Sequence, residues 1–464
     1  MHPVIARTNF RIQERLLGRR TFSFLRDLER TQHWPRERLQ ELQLERLQQI
    51  TRHAYEKTEY WRSVMKRMGL TPRDIRSLED LQKFPLLSKE TVRAERERMV
   101  DRAGRRRLSL VRTSGSTNEA LQFYTDSHRE AQINASRIRG HRWIGVDKGD
   151  REMYFWGSPI ELSKQDRIKR LRDGLVNDGL TNGFEINPEL VRQYFDFWMR
   201  WRPKCIFGYP NSLMLMALMA RSQNLDLRAL GARGLTAICT TAEMLTEIDR
   251  QKISEGFGVP VFDSYGLREV GLIGHECRNQ VMHTMDDQLL LETIDPQTLE
   301  PSDREGELVV TNLFSGVMPM IRYRTGDMVT LASEPCSCGL GLNGIKISGG
   351  RIADFVVTSD GRWIPGYAFI YICRTVPGVV KFQVQQDQAG SVRVLLAVDD
   401  QFAQDGVEQI TKLSRTRLRS RDQVTVEVVD DIQPGNSGKY RPVISRVAEE
   451  VLNKPQQCGS SALD

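Results

Sequence analysis

The chain is 464 residues long, more than a single hydrophobic core ordinarily fills, so two or more domains are expected. With 39% hydrophobic and 27% charged residues the composition is that of a globular protein, and no apolar run approaches the roughly 20 residues of a membrane span. The net charge of +7 is concentrated in Arg102–Arg107 and Lys164–Arg170, where no interleaved aromatics offer stacking platforms, so nucleic acid is not an expected partner and a solvated basic face near an anionic cosubstrate is.

In chain order, the opening Met1-His2-Pro3-Val4-Ile5-Ala6-Arg7 runs into arginine-rich, mixed-charge sequence with no apolar signal core, which predicts a cytoplasmic protein. Between 36 and 66, Leu39, Leu42, Leu47, Ile50 and Ala54 recur at helical spacing and predict an amphipathic helix within an N-terminal helical region, 1–107. From 108, short apolar runs (Cys205-Ile206-Phe207, Thr236–Cys239, Val259–Phe262, Leu308–Val310) alternate with helical stretches such as 212–223. This pattern predicts an α/β domain with helices covering sheets, extending to 352. The sequence then changes character. Runs at 382–385, 392–396 and 424–428 read as strands around one helix, roughly 404–418, and predict a small α+β lid over 353–450; 451–464 reads as a flexible tail.

Five clusters carry chemistry. Thr113-Ser114-Gly115-Ser116-Thr117 packs hydroxyls and glycine with little bulk, which suits backbone approach to a polyphosphate, although a solvated turn is written the same way. It lacks the G-x-x-x-x-G-K-[ST] of a P-loop. Asp263-Ser264-Tyr265-Gly266-Leu267-Arg268-Glu269, Arg322-Tyr323-Arg324-Thr325-Gly326-Asp327 and Gly349-Gly350-Arg351-Ile352-Ala353-Asp354 follow, and Gly438-Lys439-Tyr440-Arg441 closes the series in a Pro-Gly-Asn-Ser turn. Seven cysteines without disulfide-like spacing fit a reducing compartment; Cys277, His283, Cys336 and Cys338 supply four donors, enough for a closed tetrahedral zinc site or, equally by spacing, buried free thiols.

The ordered set resembles the adenylate-forming superfamily of acyl-CoA synthetases, adenylation domains and luciferases, and within it the phenylacetate-CoA ligase-like branch that includes coenzyme F390 synthetases and CapK proteins. The resemblance runs from about 40 to about 450, with Tyr60-Trp61, Ile75–Leu81 and Phe84-Pro85-Leu86-Leu87-Ser88-Lys89 also matching. It implies a large multi-subdomain adenylation domain with a mobile lid. The implied activity is that of an AMP-forming carboxylate ligase, which activates an aryl or acyl acid with ATP and Mg2+ and passes the acyl group to CoA. The alternative acceptor is an amine, hydroxyl or carrier-protein thiol. A decayed, nucleotide-sensing site is a third reading, kept open by Asn118 and Arg268 at motif positions where the family has glycine and a hydroxyl residue.

By the same resemblance, residues 113–117 form the phosphate loop, Glu269 binds Mg2+, and Thr241, Ala242 and Glu243 line the adenine with Tyr265 and Gly266. Asp327 holds the ribose hydroxyls, Arg351 adds a ribose or phosphate contact, Lys439 is the catalytic lysine, and Asp354 is the hinge. The branch also carries cysteine and histidine at the places of Cys277, His283, Cys336 and Cys338, which implies structural zinc, with His275 as an alternative ligand. Trp156 and Tyr209 are expected near the acid. A homodimer is compatible with the sequence.

Overall fold

The computed structural model describes the chain apart from residues 102–107, 113–120, 157–171, 184–185, 187, 333, 352–354, 361–362, 419–421, 434–440 and 448–464, and apart from the side chains at 349–351, 355, 363, 365, 367 and 371. The expected phosphate loop 113–117, Asn118, Asp354 as the expected hinge, and Lys439 therefore lie outside the described residues, and Arg351 is described by its backbone alone. The chain forms two compact units. One is built from Met1–Thr325 and Thr330–Lys346, the other principally from Ile347 onward together with Gly326–Val329.

The first unit opens with helices α1 (Pro3–Leu16), α2 (Thr21–Thr31), α3 (Arg36–Lys57), α4 (Glu59–Arg67) and α5 (Lys89–Glu95). The amphipathic segment expected over 36–66 is thus two helices, because Thr58 takes an extended backbone (φ −119°, ψ 139°) between them. Leu39, Leu47, Ile50 and Ala54 are buried as their spacing requires. These helices also hold the motif strands in place. Trp61 Nε1 donates to Pro319 O at 2.9 Å, and the Phe84–Lys89 stretch lies against the Tyr323 strand, Leu87 N donating to Arg322 O at 2.8 Å and Leu87 O accepting from Arg324 N at 2.9 Å.

After a short antiparallel pair, β1 (Ser109–Arg112) and β2 (Gln122–Thr125), the framework is an eleven-stranded sheet. Its strands are β3 (Glu152–Phe155), β4 (Asp178–Thr181), β5 (Cys205–Gly208), β6 (Ala237–Thr241), β7 (Val261–Leu267), β8 (Gly271–Glu276), β9 (Met282–Thr284), β10 (Leu289–Ile294), β11 (Gly306–Asn312), β12 (Tyr323–Ala332) and β13 (Gly344–Arg351), ordered β10-β11-β12-β13-β9-β8-β7-β6-β5-β3-β4. From β4 to β7 every pairing is parallel; β7–β8 and β8–β9 are antiparallel. In the parallel half both faces are covered, and the side-chain period of two sorts the residues. Met153, Phe155, Ile206, Ile238 and Val261 enter one core with Trp198, Leu213 and Phe257 of the flanking helices, while Cys205, Ala237, Cys239 and Phe262 pack on the other side with Ile144 and Val146. Helix α6 (Ser127–Trp143), N-capped by Asp126, precedes Ile144 on that second side.

The second unit contains the four-stranded sheet β18-β17-β16-β19, from Val379–Gln388 (β16), Ser391–Val398 (β17), Gln423–Val428 (β18) and Val443–Ser445 (β19), and the pair β14 (Phe355–Val357) and β15 (Trp363–Pro365). Besides the expected helix, which spans Gly406–Leu418, there is a second one at Tyr367–Thr375. Sequence reading missed it because Ala368, Phe369, Ile370, Ile372 and Cys373 are apolar on almost every side, so no helical period stands out.

Candidate active site

In parallel sheets, ligands gather where the strands end at their carboxyl side, because loops and helix N-termini converge there. In this chain β5, β6 and β7 deliver Gly208-Tyr209, Thr241-Ala242-Glu243 and Ser264-Tyr265-Gly266 to that edge, with Thr240 in register with Asp263 and Thr241 with Ser264. Side-chain hydrogen bonds lock the two ends together. Thr240 Oγ1 donates to Asp263 Oδ1 at 2.6 Å, Ser264 Oγ to Thr240 O at 2.9 Å, and Thr241 Oγ1 to Ser264 O at 2.9 Å.

Just past β6 the chain turns through Ala242 with φ +69°, a left-handed conformation that costs an L-residue energy and is commonly kept at functional sites. The turn carries Glu243 to Asn211, whose backbone N (3.2 Å) and Nδ2 (3.0 Å) both donate to Glu243 Oε2. Asn211 was not anticipated from sequence; its only signal is its place in Phe207-Gly208-Tyr209-Pro210-Asn211.

Glu269 lies in the turn between β7 and β8 and is buried. Tyr323 Oη donates to Glu269 Oε1 at 2.8 Å, so Tyr323 of the Y-R-T-G-D motif holds the acid that closes the Tyr265–Glu269 motif. Arg324 forks onto Glu307 (2.6 and 3.0 Å) and Thr325 Oγ1 donates to Leu308 O at 2.8 Å, fixing the start of β12 on β11; Asp327 is buried farther along that strand. Arg268 donates to Arg112 O at 2.8 Å, immediately before residues 113–117, while Arg129 donates to Arg268 O. The guanidinium that replaces the family's hydroxyl residue thus grips the backbone that leads into residues 113–117.

Burial, and next the nearby Glu276 carboxylate, push Asp263 up to about 7 against the opposing pull of Thr240 and Arg250. Arg250 in turn clamps Glu276 through two bonds of 2.7 and 2.9 Å. At the β3 and β5 ends, Trp156 and Tyr209 stack on each other with ring centroids 4.1 Å apart and planes 17° apart. At that spacing no ring fits between them; a flat acid would have to lie beside the pair.

Cys277, His283, Cys336 and Cys338 come together from β8–β9 and the loop before β13, their donor atoms all within 4.8 Å of one another. Cys277 Sγ lies 3.9 Å from Cys336 Sγ, and Cys338 Sγ lies 3.2 Å from His283 Nε2. His283 Nδ1 is 3.0 Å from Leu342 O, which makes that nitrogen the donor and turns the Nε2 lone pair toward the sulfurs. Three thiols and one such imidazole fit tetrahedral zinc, whose ligands at about 2.3 Å for sulfur stand roughly 3.8 Å apart. His275 does not join this group. Its Nδ1 is 2.8 Å from Glu276 O and its Nε2 3.6 Å from Cys239 Sγ, in a separate buried cluster with His141.

Residues 356–446 match the family model for the CapK C-terminal domain. A phenylacetate-coenzyme A ligase of Thermus thermophilus is 28% identical over 315 residues, covering 66% of this chain and 68% of its own. Protein CapK of Staphylococcus aureus is 22% identical over 414 residues, covering 88% and 89%. Among solved structures, a 2-hydroxyisobutyryl-CoA ligase in its postadenylation state superposes with a TM-score of 0.74 at 19% identity, over 92% of this chain and 93% of that one, and shares the fold.

Proposed function

We infer, from a chain that belongs to the adenylate-forming branch containing the phenylacetate-CoA ligases and CapK, that it activates a small aryl or acyl acid with ATP and transfers the acyl group to CoA. The observation that carries the reading is the bond from Tyr323 to Glu269, which joins two motifs far apart in sequence at the carboxyl end of the parallel strands. A buried carboxylate held by one phenol keeps its second oxygen for another partner, the arrangement a metal ligand needs.

In the first half-reaction a carboxylate oxygen of the acid attacks the α-phosphorus of ATP, the bond to the bridging oxygen breaks, and pyrophosphate leaves. Mg2+, held by Glu269, would supply positive charge to the phosphates. By resemblance, Thr113–Thr117 receive the pyrophosphate, Lys439 neutralises charge between the acid and the α-phosphate, and Asp327 and Arg351 hold the ribose. Thr241, Ala242, Glu243, Tyr265 and Gly266 would frame the adenine. In the second half-reaction the CoA sulfur attacks the acyl carbon, AMP departs with the bonding pair, and the thiol proton passes to solvent. The part 353–450 would serve as the lid, swivelling near Asp354. Zinc at Cys277, His283, Cys336 and Cys338 would be structural, and the reading places the protein in the cytoplasm, where ATP and CoA are supplied.

A second reading keeps the adenylate and changes the acceptor to an amine, hydroxyl or carrier-protein thiol. The match of residues 356–446 to the CapK C-terminal domain favours it, since acceptor chemistry is expected to engage the lid. The test is exchange of labelled pyrophosphate into ATP across a panel of carboxylic acids, followed by mass spectrometry of products with CoA and with amines. Exchange accompanied by thioester supports the ligase, exchange with CoA left unconsumed moves the assignment to the second reading, and no exchange with any acid removes both.

A further inference from the structure

Helix α1 uses only one side for folding. Ala6, Phe10 and Glu14, spaced four apart, are buried: Phe10 packs with Leu25, Leu28, Ala135 and Ile138, and Glu14 accepts from the Thr21 hydroxyl and from Asn134 Nδ2 at 3.2 Å. The opposite side is apolar and open. Val4, Ile5, Ile12 and Leu16 are between 52 and 83% exposed, and Leu17 beyond the helix end is exposed too. At about 100° per residue, Ile5, Ile12 and Leu16 share an arc of roughly 40°, so they form one stripe along the helix.

Scattered exposed aliphatics need no explanation; a stripe bordered by cations is a different matter. Arg11 and Arg15 border the stripe along one side, and the one carboxylate of α1, Glu14, faces inward. Beside it a groove is lined by Arg11, Arg15, Arg19, Arg20, Arg26 and Arg142, with Glu14 and Glu29 as its acids. Both acids are already engaged, Glu14 by Arg19 at 3.3 Å and Glu29 by Arg142. The groove therefore keeps a surplus of positive charge directly beside an apolar ridge.

We propose that α1 lies on an anionic phospholipid surface, its Ile5–Leu16 stripe sunk at the headgroup–acyl boundary and its arginine groove over lipid phosphates. An anionic bilayer satisfies both halves of the surface, because it offers phosphate charge and hydrocarbon within the same few ångströms. A second copy of this chain would set one arginine groove against another, and nucleic acid would leave the aliphatic stripe in water. The membrane is touched and not crossed: among the described residues no helix is long and apolar enough to span it.

The test is vesicle flotation of the full chain with phosphatidylcholine vesicles and with the same vesicles enriched in phosphatidylglycerol. The protein should float with the anionic vesicles alone and be released by high salt. Ile12→Ser with Leu16→Ser, and separately Arg11→Gln with Arg15→Gln, should each reduce partition by about tenfold or more while melting temperature and pyrophosphate exchange stay at wild-type values. Four results would overturn the proposal: no flotation of the wild type, flotation of both variants equal to that of the wild type, a concentration-dependent dimer that Leu16→Ser abolishes in the absence of any flotation, or saturable pyrophosphate binding in the groove with no flotation, which would mark a soluble-anion site.

Discussion

The Tyr323 hydroxyl reaches across 54 residues of sequence to donate to Glu269 Oε1 at 2.8 Å, and both partners are buried. Removing the phenol oxygen leaves a buried carboxylate oxygen short of a donor, at a cost of about 1–3 kcal/mol. Tyr323→Phe should therefore lower the melting temperature and raise the apparent KM for MgATP in the exchange assay. Glu269→Gln should cut exchange by roughly 100-fold, as expected when a metal ligand loses its charge. An unchanged MgATP dependence in Glu269→Gln would remove Glu269 from the nucleotide site.

Lys439→Ala should abolish adenylate formation by about 100-fold or more, in line with the loss of one strong electrostatic contact in the transition state. Transfer of the acyl group from a supplied acyl adenylate should survive. Comparing the two half-reactions in one preparation separates a lysine that serves adenylation from one that merely supports the fold.

Metal analysis of protein purified without chelators should find about one zinc per chain, lost in Cys336→Ser with Cys338→Ser, with a lower melting temperature because structural zinc contributes directly to folding. Cys239→Ser, in the neighbouring buried cluster, should leave the zinc content unchanged. Zinc-free wild-type protein whose melting equals that of the double variant would refute the assignment.

Asp263 gives a signed pH dependence. Its folded value of about 7 lies above the unfolded carboxylate's, near 3.9, so the folded state binds the proton more tightly. The associated stability is fully present below about pH 4 and is lost as pH rises through about 7. Asp263→Asn keeps an acceptor for Thr240 and cannot ionise. Relative to wild type it should gain stability between those limits, by an amount of order 4 kcal/mol, as read from urea unfolding at a series of pH values.

Strand runs such as Cys205–Phe207 and Leu308–Val310 were legible in the sequence because burial on both faces leaves short apolar segments between turn signals. The break at Thr58 was not, since the apolar spacing continues through it, and only the backbone there departs from the helix. The motifs identified the residues of the site without their partners. Nothing near Glu269 in sequence points to Tyr323, and nothing near Glu243 points to Asn211, because those bonds are made by tertiary packing. For the four sulfur and nitrogen donors the reverse holds: residue type suggested the group, spacing could not join Cys277 to Cys338, and the fold brings them together. His275 shows the limit of residue type alone. It is two residues from a member of that group, yet its side chain turns to Cys239.

Between β9 and β13 the large sheet is paired at one register position, Gly344 opposite His283. His283 is also the imidazole of the four-donor cluster, anchored at Leu342 beside that same pairing. The seam between these two strands thus runs through a residue of the four-donor cluster. Unpicking the cluster should loosen the sheet at that seam first, before the parallel strands that present Thr241 and Ser264 begin to part.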